Sequence, residues 1–143
     1  MSNLNVVLES GDWEEALDDA QTLAKKALET IEGELSLVLA DNAFIQDLNH
    51  QFRGHNKSTN VLSFPSDDED DYLGDVIVAL ETLQVEAKEQ GKRLSHHFTH
   101  MVIHGALHLQ GLDHEDETEA EIMEAKEIQM LEQLGIANPY ETQ

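Results

Sequence analysis

The sequence predicts an α/β (α+β) protein in which one mixed sheet of about four strands packs against about five helices. Short β-rich apolar runs alternate along the chain with longer stretches of helical apolar spacing, and the two kinds follow one another in mixed order. The length of 143 residues, of which 40% are hydrophobic, suits one compact domain over residues 1–143. Strand order in the sheet does not follow from these patterns.

The first predicted strand covers residues 5–8, a short apolar run. Asp12 then stands at the N-cap of a predicted helix, and Gly33 marks the end of that helix. Its apolar side chains recur at helical spacing: Trp13, Leu17, Ala20, Ala24, Ala27, Leu28 and Ile31. We expect one continuous helix between the first two strands.

A second βα step follows. The apolar run 35–39 predicts a strand, and Asp41 or Asn42 is expected to cap the helix after it. The helix should direct three side chains toward the core, namely Ile45, Leu48 and Phe52.

The third and fourth predicted strands are neighbours at residues 60–64 and 75–79. Pro65 halts the third strand because proline has no N–H group to donate to a sheet. Between the strands lie five consecutive acidic residues, 67–71. Like charges in a row seldom pack, so this run is interpreted as a solvated loop rather than a metal site.

The remainder of the chain is predicted to be helical. Three helices are expected, at residues 80–90, 94–109 and 115–134. There are no internal repeats and no linker in the sequence.

Composition limits the classes of function. Eight Lys and Arg against thirty Asp and Glu give a formal charge of −22, which repels nucleic acid over most of the surface. Five of the eight cations lie mid-chain: Arg53, Lys57, Lys88, Lys92 and Arg93. They either form a cationic locus on an acidic body or are ordinary solvated side chains.

Two absences shape the expectations about location and metal ligands. Residues 1–8 lack the pattern of a secretory signal, and no apolar run approaches the length of a membrane span, so we expect a cytoplasmic protein without a membrane partner. Cysteine is absent, so a tightly held metal would be bound by imidazole and carboxylate groups.

Three histidines have the spacing of a metal site. His104 and His108 are four residues apart and would project from one face of a helix. Gly111 sits where a helix end needs a left-handed residue, which would let the chain turn back and bring His114 to the same point. Three neutral nitrogen ligands and one open position are typical of catalytic Zn²⁺, so a single zinc ion is predicted at this helix C-terminus. Core or surface histidines without a metal are the alternative.

The residues around this motif are interpreted separately. Its spacing is also that of the metzincin proteases, but their general-base glutamate is replaced here by Gly105, which argues against peptide hydrolysis. His100 extends the stripe by one turn and is assigned a hydrogen-bonding role beside the ligands rather than direct ligation. His96 and His97 are expected on the exposed surface.

Residues 104–114 read HGALHLQGLDH and resemble the HGxLHLxGxDH signature of the YbeY family, the bacterial rRNA maturation endoribonucleases. A second block is similar to the family's LNxxFRG, TDVLSFP and LGD elements, and in this chain it reads LNHQFRG at 48–54, Thr59, VLSFP at 61–65 and LGD at 73–75. The chain departs from the family at Asn56 and Asn60, where Asp is usual, and at Ser58, where Pro is frequent.

The resemblance implies three zinc ligands, His104, His108 and His114, and a functionally required Arg53. It implies a single-strand-specific, zinc-dependent endoribonuclease in 16S rRNA maturation and ribosome quality control. Arg53 and His114 are thereby the candidate catalytic residues. The implied partners are ribosomal RNA or the small ribosomal subunit and a ribosomal protein, with no DNA.

The chemistry of phosphodiester cleavage fits these residues. Negative charge builds on the non-bridging oxygens, and Zn²⁺ with the Arg53 guanidinium would stabilise it, while either water or the ribose 2′-hydroxyl attacks. Asp113 and Asp75 are candidates to orient a ligand or act as a base, although Asp113 is equally suited to a local cap. The alternative for Arg53 is a surface ion pair.

Two other functions remain open from the sequence. One is a non-catalytic ribosome-assembly factor with structural zinc, whose acidic surface engages basic ribosomal proteins. The other is a metal-dependent hydrolase of another substrate.

Overall fold

The computed structural model describes residues 3–66, 72–112 and 116–140. In those residues four strands form one sheet: β1 (Asn3–Leu8), β2 (Glu34–Ala40), β3 (Val61–Pro65) and β4 (Tyr72–Ala79). The same residues contain six helices: α1 (Trp13–Ala16), α2 (Ala20–Ala27), α3 (Asn42–Arg53), α4 (Leu80–Glu89), α5 (Leu94–Leu109) and α6 (Glu117–Gln133). The predicted fold class is confirmed.

The sheet has the strand order β1-β2-β4-β3. Strands β1, β2 and β4 are parallel, and β3 pairs antiparallel with β4 as an edge strand. The acidic run 67–71 between β3 and β4 lies outside the described residues.

Alternation along the strands divides the core between the two faces of the sheet. One face packs against α2 and α5 through apolar residues such as Leu37 and Val76. The other packs against α3 through Ile45, Leu62 and Ile77. Helix α5 is buried along most of its length, and no described helix is long and apolar enough to cross a membrane.

The helix predicted over residues 13–31 is broken in the structure. Helix α1 ends at Ala16 and α2 runs from Ala20 to Ala27, so Gly33 lies in the turn before β2 and ends no helix. Asp18 and Asp19 fall at the break, and aspartate is a weak residue for a helix interior. Asp12 is the N-cap residue of α1, as predicted, but its side chain makes no capping hydrogen bond.

Two other predicted positions are corrected. Phe52 follows the core-facing stripe of α3, but 65% of its surface is exposed, and its ring contacts Phe64 of the edge strand at the last turn of the helix. His97 is buried rather than exposed, since its ring turns inward to Glu86, and His96 is half-buried.

The capping by Asp41 is confirmed: its side chain accepts from the Phe44 N–H at 2.9 Å.

Close contact between α5 and the sheet depends on Gly105. A Cβ at this position would lie 2.6 Å from Val76 Cγ1 and 3.2 Å from Ser63 Oγ. The Ser63 hydroxyl also donates to the Gly105 carbonyl at 3.0 Å. Glycine therefore lets the histidine-bearing helix approach β3 and β4 at close range.

We predict that Gly105→Ala destabilises the protein even though alanine is the better helix former. Overpacking a core costs about 1–3 kcal/mol, against a helix-propensity gain of about 1 kcal/mol. The expected result is a lower free energy of unfolding in urea at an unchanged m-value. A variant as stable as the parent would show that the sheet accommodates the extra methyl group.

Candidate active site

A cleft of about 430 Å³ opens beside the edge strand β3. The C-terminal ends of α3 and α5 supply the opposing walls, through Arg53 on one side and His104 and His108 on the other. Ser63 of β3 and Gly111, after the end of α5, also line the cleft. Two segments far apart in sequence thus converge on one site.

Helical spacing brings the two predicted metal ligands of α5 together. The ring centroids of His104 and His108 are 4.7 Å apart, and both side chains are half-buried. After α5 the chain turns at Gly111, whose φ of +96° favours glycine, and the Leu112 N–H donates to the Leu107 carbonyl at 3.1 Å. The predicted left-handed glycine at this helix end is confirmed.

A carboxylate that the sequence interpretation missed lies behind the histidines. Glu127 of α6 is fully buried, and its Oε1 is 3.1 Å from His104 Nδ1 and 2.7 Å from His100 Nε2. The Tyr140 hydroxyl donates to the same carboxylate at 2.9 Å. Burial raises the pKa of Glu127, but the hydrogen bonds from His100 and His104 outweigh it and lower that pKa to about 2.

These contacts determine which nitrogen of His104 carries the proton. An ionised carboxylate only accepts hydrogen bonds, so the Nδ1 atom of His104 must donate to Glu127. In the neutral ring the lone pair then lies on Nε2, which is the form that binds a metal.

His100 lies one turn before His104 and is bound to Glu127 through Nε2. The residue is 6% exposed, and its Nδ1 has no hydrogen-bond partner among the described residues. Since Nε2 is engaged with the carboxylate, His100 acts on the site through Glu127.

Arg53 reaches the cleft from the end of α3. Its Nη2 donates to the Ser63 carbonyl at 2.7 Å, and its guanidinium carbon lies 5.3 Å from the centroid of the Phe64 ring. No ion pair joins Arg53 to any residue that the structure describes, so the surface-ion-pair alternative has no support there. A guanidinium carries five N–H groups, so Arg53 keeps donors for an anion while it is bound to β3.

The structure does not bring Asp75 to the cleft. Neighbouring residues of a strand point to opposite faces, and Val76 faces Gly105 of α5, so Asp75 faces away from that helix. There it accepts a hydrogen bond from the Tyr72 hydroxyl. The predicted role of Asp75 in orienting a histidine ligand is therefore corrected. Its side chain makes its contact on the face of the sheet opposite to α5.

The two asparagines that depart from the family pattern make different contacts. Asn60 lines the cleft and donates from Nδ2 to Glu86 at 3.2 Å, and Glu86 also binds buried His97 Nε2 at 2.8 Å. An aspartate at position 60 would lie against the Glu86 carboxylate. Burial lowers the pKa of His97, and the hydrogen bond with Glu86 offsets part of this effect. Asn56 instead accepts a hydrogen bond from Gln46 at 3.1 Å.

His114 and Asp113 lie outside the described residues. Among the residues that are described, no group of three histidines or carboxylates could by itself hold a metal ion. His104 and His108 nevertheless suit a metal ion, because their two imidazoles share one cleft. The Glu127 carboxylate binds Nδ1 of His104 and leaves Nε2 as the metal-binding atom.

Sequence reasoning had one signal for Glu127. The inward stripe of α6 contains Met123, Met130 and Leu131, and Glu127 occupies a position of the same stripe. A charged residue in an apolar stripe indicates a buried partner. Nothing in the sequence named His100, His104 and Tyr140 as those partners.

Comparison with known proteins identifies relatives over nearly the whole chain. A family model described as "Endoribonuclease YbeY" matches residues 4–135. A relative of that name from Francisella tularensis subsp. novicida is 44% identical over 155 aligned positions, covering 98% of this chain and 94% of the relative. Another, from Paramagnetospirillum magneticum, is 47% identical over 146 positions, covering 90% and 89%.

A solved structure shares the fold. The solution structure of a protein from Thermotoga maritima matches with a TM-score of 0.59 at 24% identity, covering 99% of this chain and 100% of that one.

Proposed function

The chain belongs to the YbeY family of endoribonucleases, and on that premise we propose that it is a zinc-dependent, single-strand-specific endoribonuclease of ribosomal RNA. Its role would be 16S rRNA maturation and ribosome quality control in the cytoplasm. The observation that carries the proposal is the convergence of His104, His108 and Arg53 on one cleft.

The donor set supports zinc. His104 and His108 would hold the ion together with His114, and Glu127 would keep His104 in the required tautomer. When bound, zinc supplies a Lewis acid that stabilises charge on a phosphoryl oxygen and acidifies water.

Arg53 supports a phosphate substrate. Its planar guanidinium can donate two parallel N–H groups to the non-bridging oxygens of a phosphodiester. The bond to the Ser63 carbonyl and the contact with Phe64 hold that group in place before the substrate arrives. A group fixed in advance stabilises developing charge without having to reorganise during the reaction.

The charge of the protein supports a ribosomal partner. A net charge of −22 disfavours tight binding to free RNA, so specificity would come from the small ribosomal subunit or a basic ribosomal protein. The same charge favours one alternative, a non-catalytic assembly factor with structural zinc.

The proposed function is tested by incubating zinc-loaded protein with single-stranded and duplex segments of ribosomal RNA. We expect about one zinc per chain and cleavage of the single strand. His108→Ala should lose both zinc and cleavage, whereas His96→Ala, on the same helix but outside the cleft, should keep both. Full zinc occupancy without cleavage would favour the assembly factor instead.

Arg53→Ala should reduce the cleavage rate by two to three powers of ten, roughly 2.7–4 kcal/mol, as for other groups that stabilise developing charge. Arg53→Lys should restore only part, because an ammonium lacks the planar fork. Rates are measured at confirmed zinc occupancy, with exposed Arg93→Ala as the control. Unchanged cleavage by Arg53→Ala would remove Arg53 from the mechanism.

Glu127→Gln should weaken zinc binding by about 10- to 100-fold, because the neutral amide no longer enforces the Nδ1–H tautomer of His104. The measurement is a competition titration with a chelating dye, accompanied by a melting curve. Glu121→Gln, an exposed position of the same helix, is the matched control. Equal zinc affinity in parent and Glu127→Gln would show that the carboxylate serves packing alone.

A further inference from the structure

Phe52 is the most exposed of the large hydrophobic side chains that the structure describes, with 65% of its surface accessible. It directly precedes Arg53, which lines the cleft, in the last turn of α3. Neither the fold nor the reaction described above uses this ring. An exposed aromatic ring beside a guanidinium is a pair of groups on which a nucleobase can stack.

The Phe52 ring is held in place from one side. It meets Phe64 edge to face, with ring centroids 5.6 Å apart and planes at 67°. Phe64 in turn lies under the Arg53 guanidinium, which is bound to the Ser63 carbonyl. The two aromatic rings and the guanidinium therefore form one group on the edge strand β3, and we name Phe52, Arg53 and Phe64 the aromatic rim.

The aromatic rim is positioned to contact an RNA strand where that strand leaves the cleft. The Arg53 guanidinium and the Phe52 ring both contact Phe64, at 5.3 Å and 5.6 Å from its centroid, so a nucleotide next to a phosphate at Arg53 would be within reach of Phe52. Base stacking on an aromatic ring is sequence-tolerant and uncharged. The net charge of −22 repels the phosphate backbone of RNA. A stacking contact is uncharged, so this repulsion does not weaken it.

We propose that Phe52 is a stacking platform for an unpaired nucleobase of the RNA strand whose phosphate is bound at Arg53. This inference rests on the proposed function and deepens it. A base in a duplex is already stacked and paired, so only a single strand presents a base that can move onto the ring. The platform would thereby contribute to the preference for single-stranded substrate.

Kinetics separate this role from that of Arg53. Phe52→Ala should raise KM for a single-stranded RNA by about 5- to 150-fold, the range of one lost stacking contact, with kcat and zinc content unchanged. Phe52→Tyr should restore KM, because it keeps the aromatic face. Ile122→Ala, which removes another exposed apolar side chain, is the matched control and should behave as the parent.

A spectroscopic test reports on stacking directly. The chain has one tryptophan, and Trp13 is 2% exposed, so an indole introduced by Phe52→Trp would be the accessible fluorophore. Single-stranded RNA mixed by stopped flow should quench this fluorescence before turnover. Duplex RNA at the same concentration should not.

The outcomes separate a failure of the stacking proposal from a failure of the proposed nuclease function. Cleavage by the parent with an unchanged KM in Phe52→Ala, or an indole that RNA does not quench, would overturn the platform and leave the nuclease standing. A parent that cleaves no RNA would overturn both. If Phe52→Ala altered only the action on whole ribosomal subunits, Phe52 would be a protein contact, which also overturns the platform.

Discussion

The buried carboxylate of Glu127 is the constraint on which the rest of the site depends. A charge taken out of water costs several kcal/mol unless it is paired and hydrogen-bonded. Helix α6 therefore has to pack where His100, His104 and Tyr140 surround that group. Burial and the charge of Glu127 raise the pKa of Tyr140, so the phenol keeps its proton and remains a donor. One interaction thus fixes α6 against α5, anchors Tyr140 beyond α6, and selects the tautomer of His104.

The second constraint is the edge strand β3, on which both walls of the cleft meet. Ser63 contacts both of them: its hydroxyl donates to Gly105 of α5, and its carbonyl accepts from Arg53 at the end of α3. An interior strand would use such a carbonyl within the sheet, so only an edge strand offers it to a side chain. The distance between the histidines and the arginine therefore depends on how closely Gly105 lets α5 approach the sheet. Packing of the core and geometry of the site are set by the same contacts.

Local patterns in the sequence predicted what local physics controls. Strands, most helices and the left-handed Gly111 follow from apolar periodicity and from helix-ending chemistry, which depend on neighbouring residues. The misplaced residues depend on side-chain contacts that apolar periodicity does not show. His97 is buried because Glu86 receives it, Asp75 faces Tyr72, and Phe52 meets β3 at an edge that no helical pattern reveals. The resemblance identified the motifs, but not Glu127, whose importance appears only when α6 is packed against α5.

The acidic charge of the protein is compatible with a phosphate substrate because the net charge and the groups that line the cleft act over different distances. At physiological ionic strength, charges are screened beyond about 8 Å, so the groups lining the cleft decide what binds there. Of the described residues in that lining, none is acidic and Arg53 is cationic. Asn60 contributes to this, since an aspartate at its position would add a carboxylate to the wall. The net charge of −22 acts earlier, on diffusional approach, where it slows association with free RNA. For the proposed nuclease, discrimination between a single strand and a duplex would then depend on short-range contacts with unpaired bases.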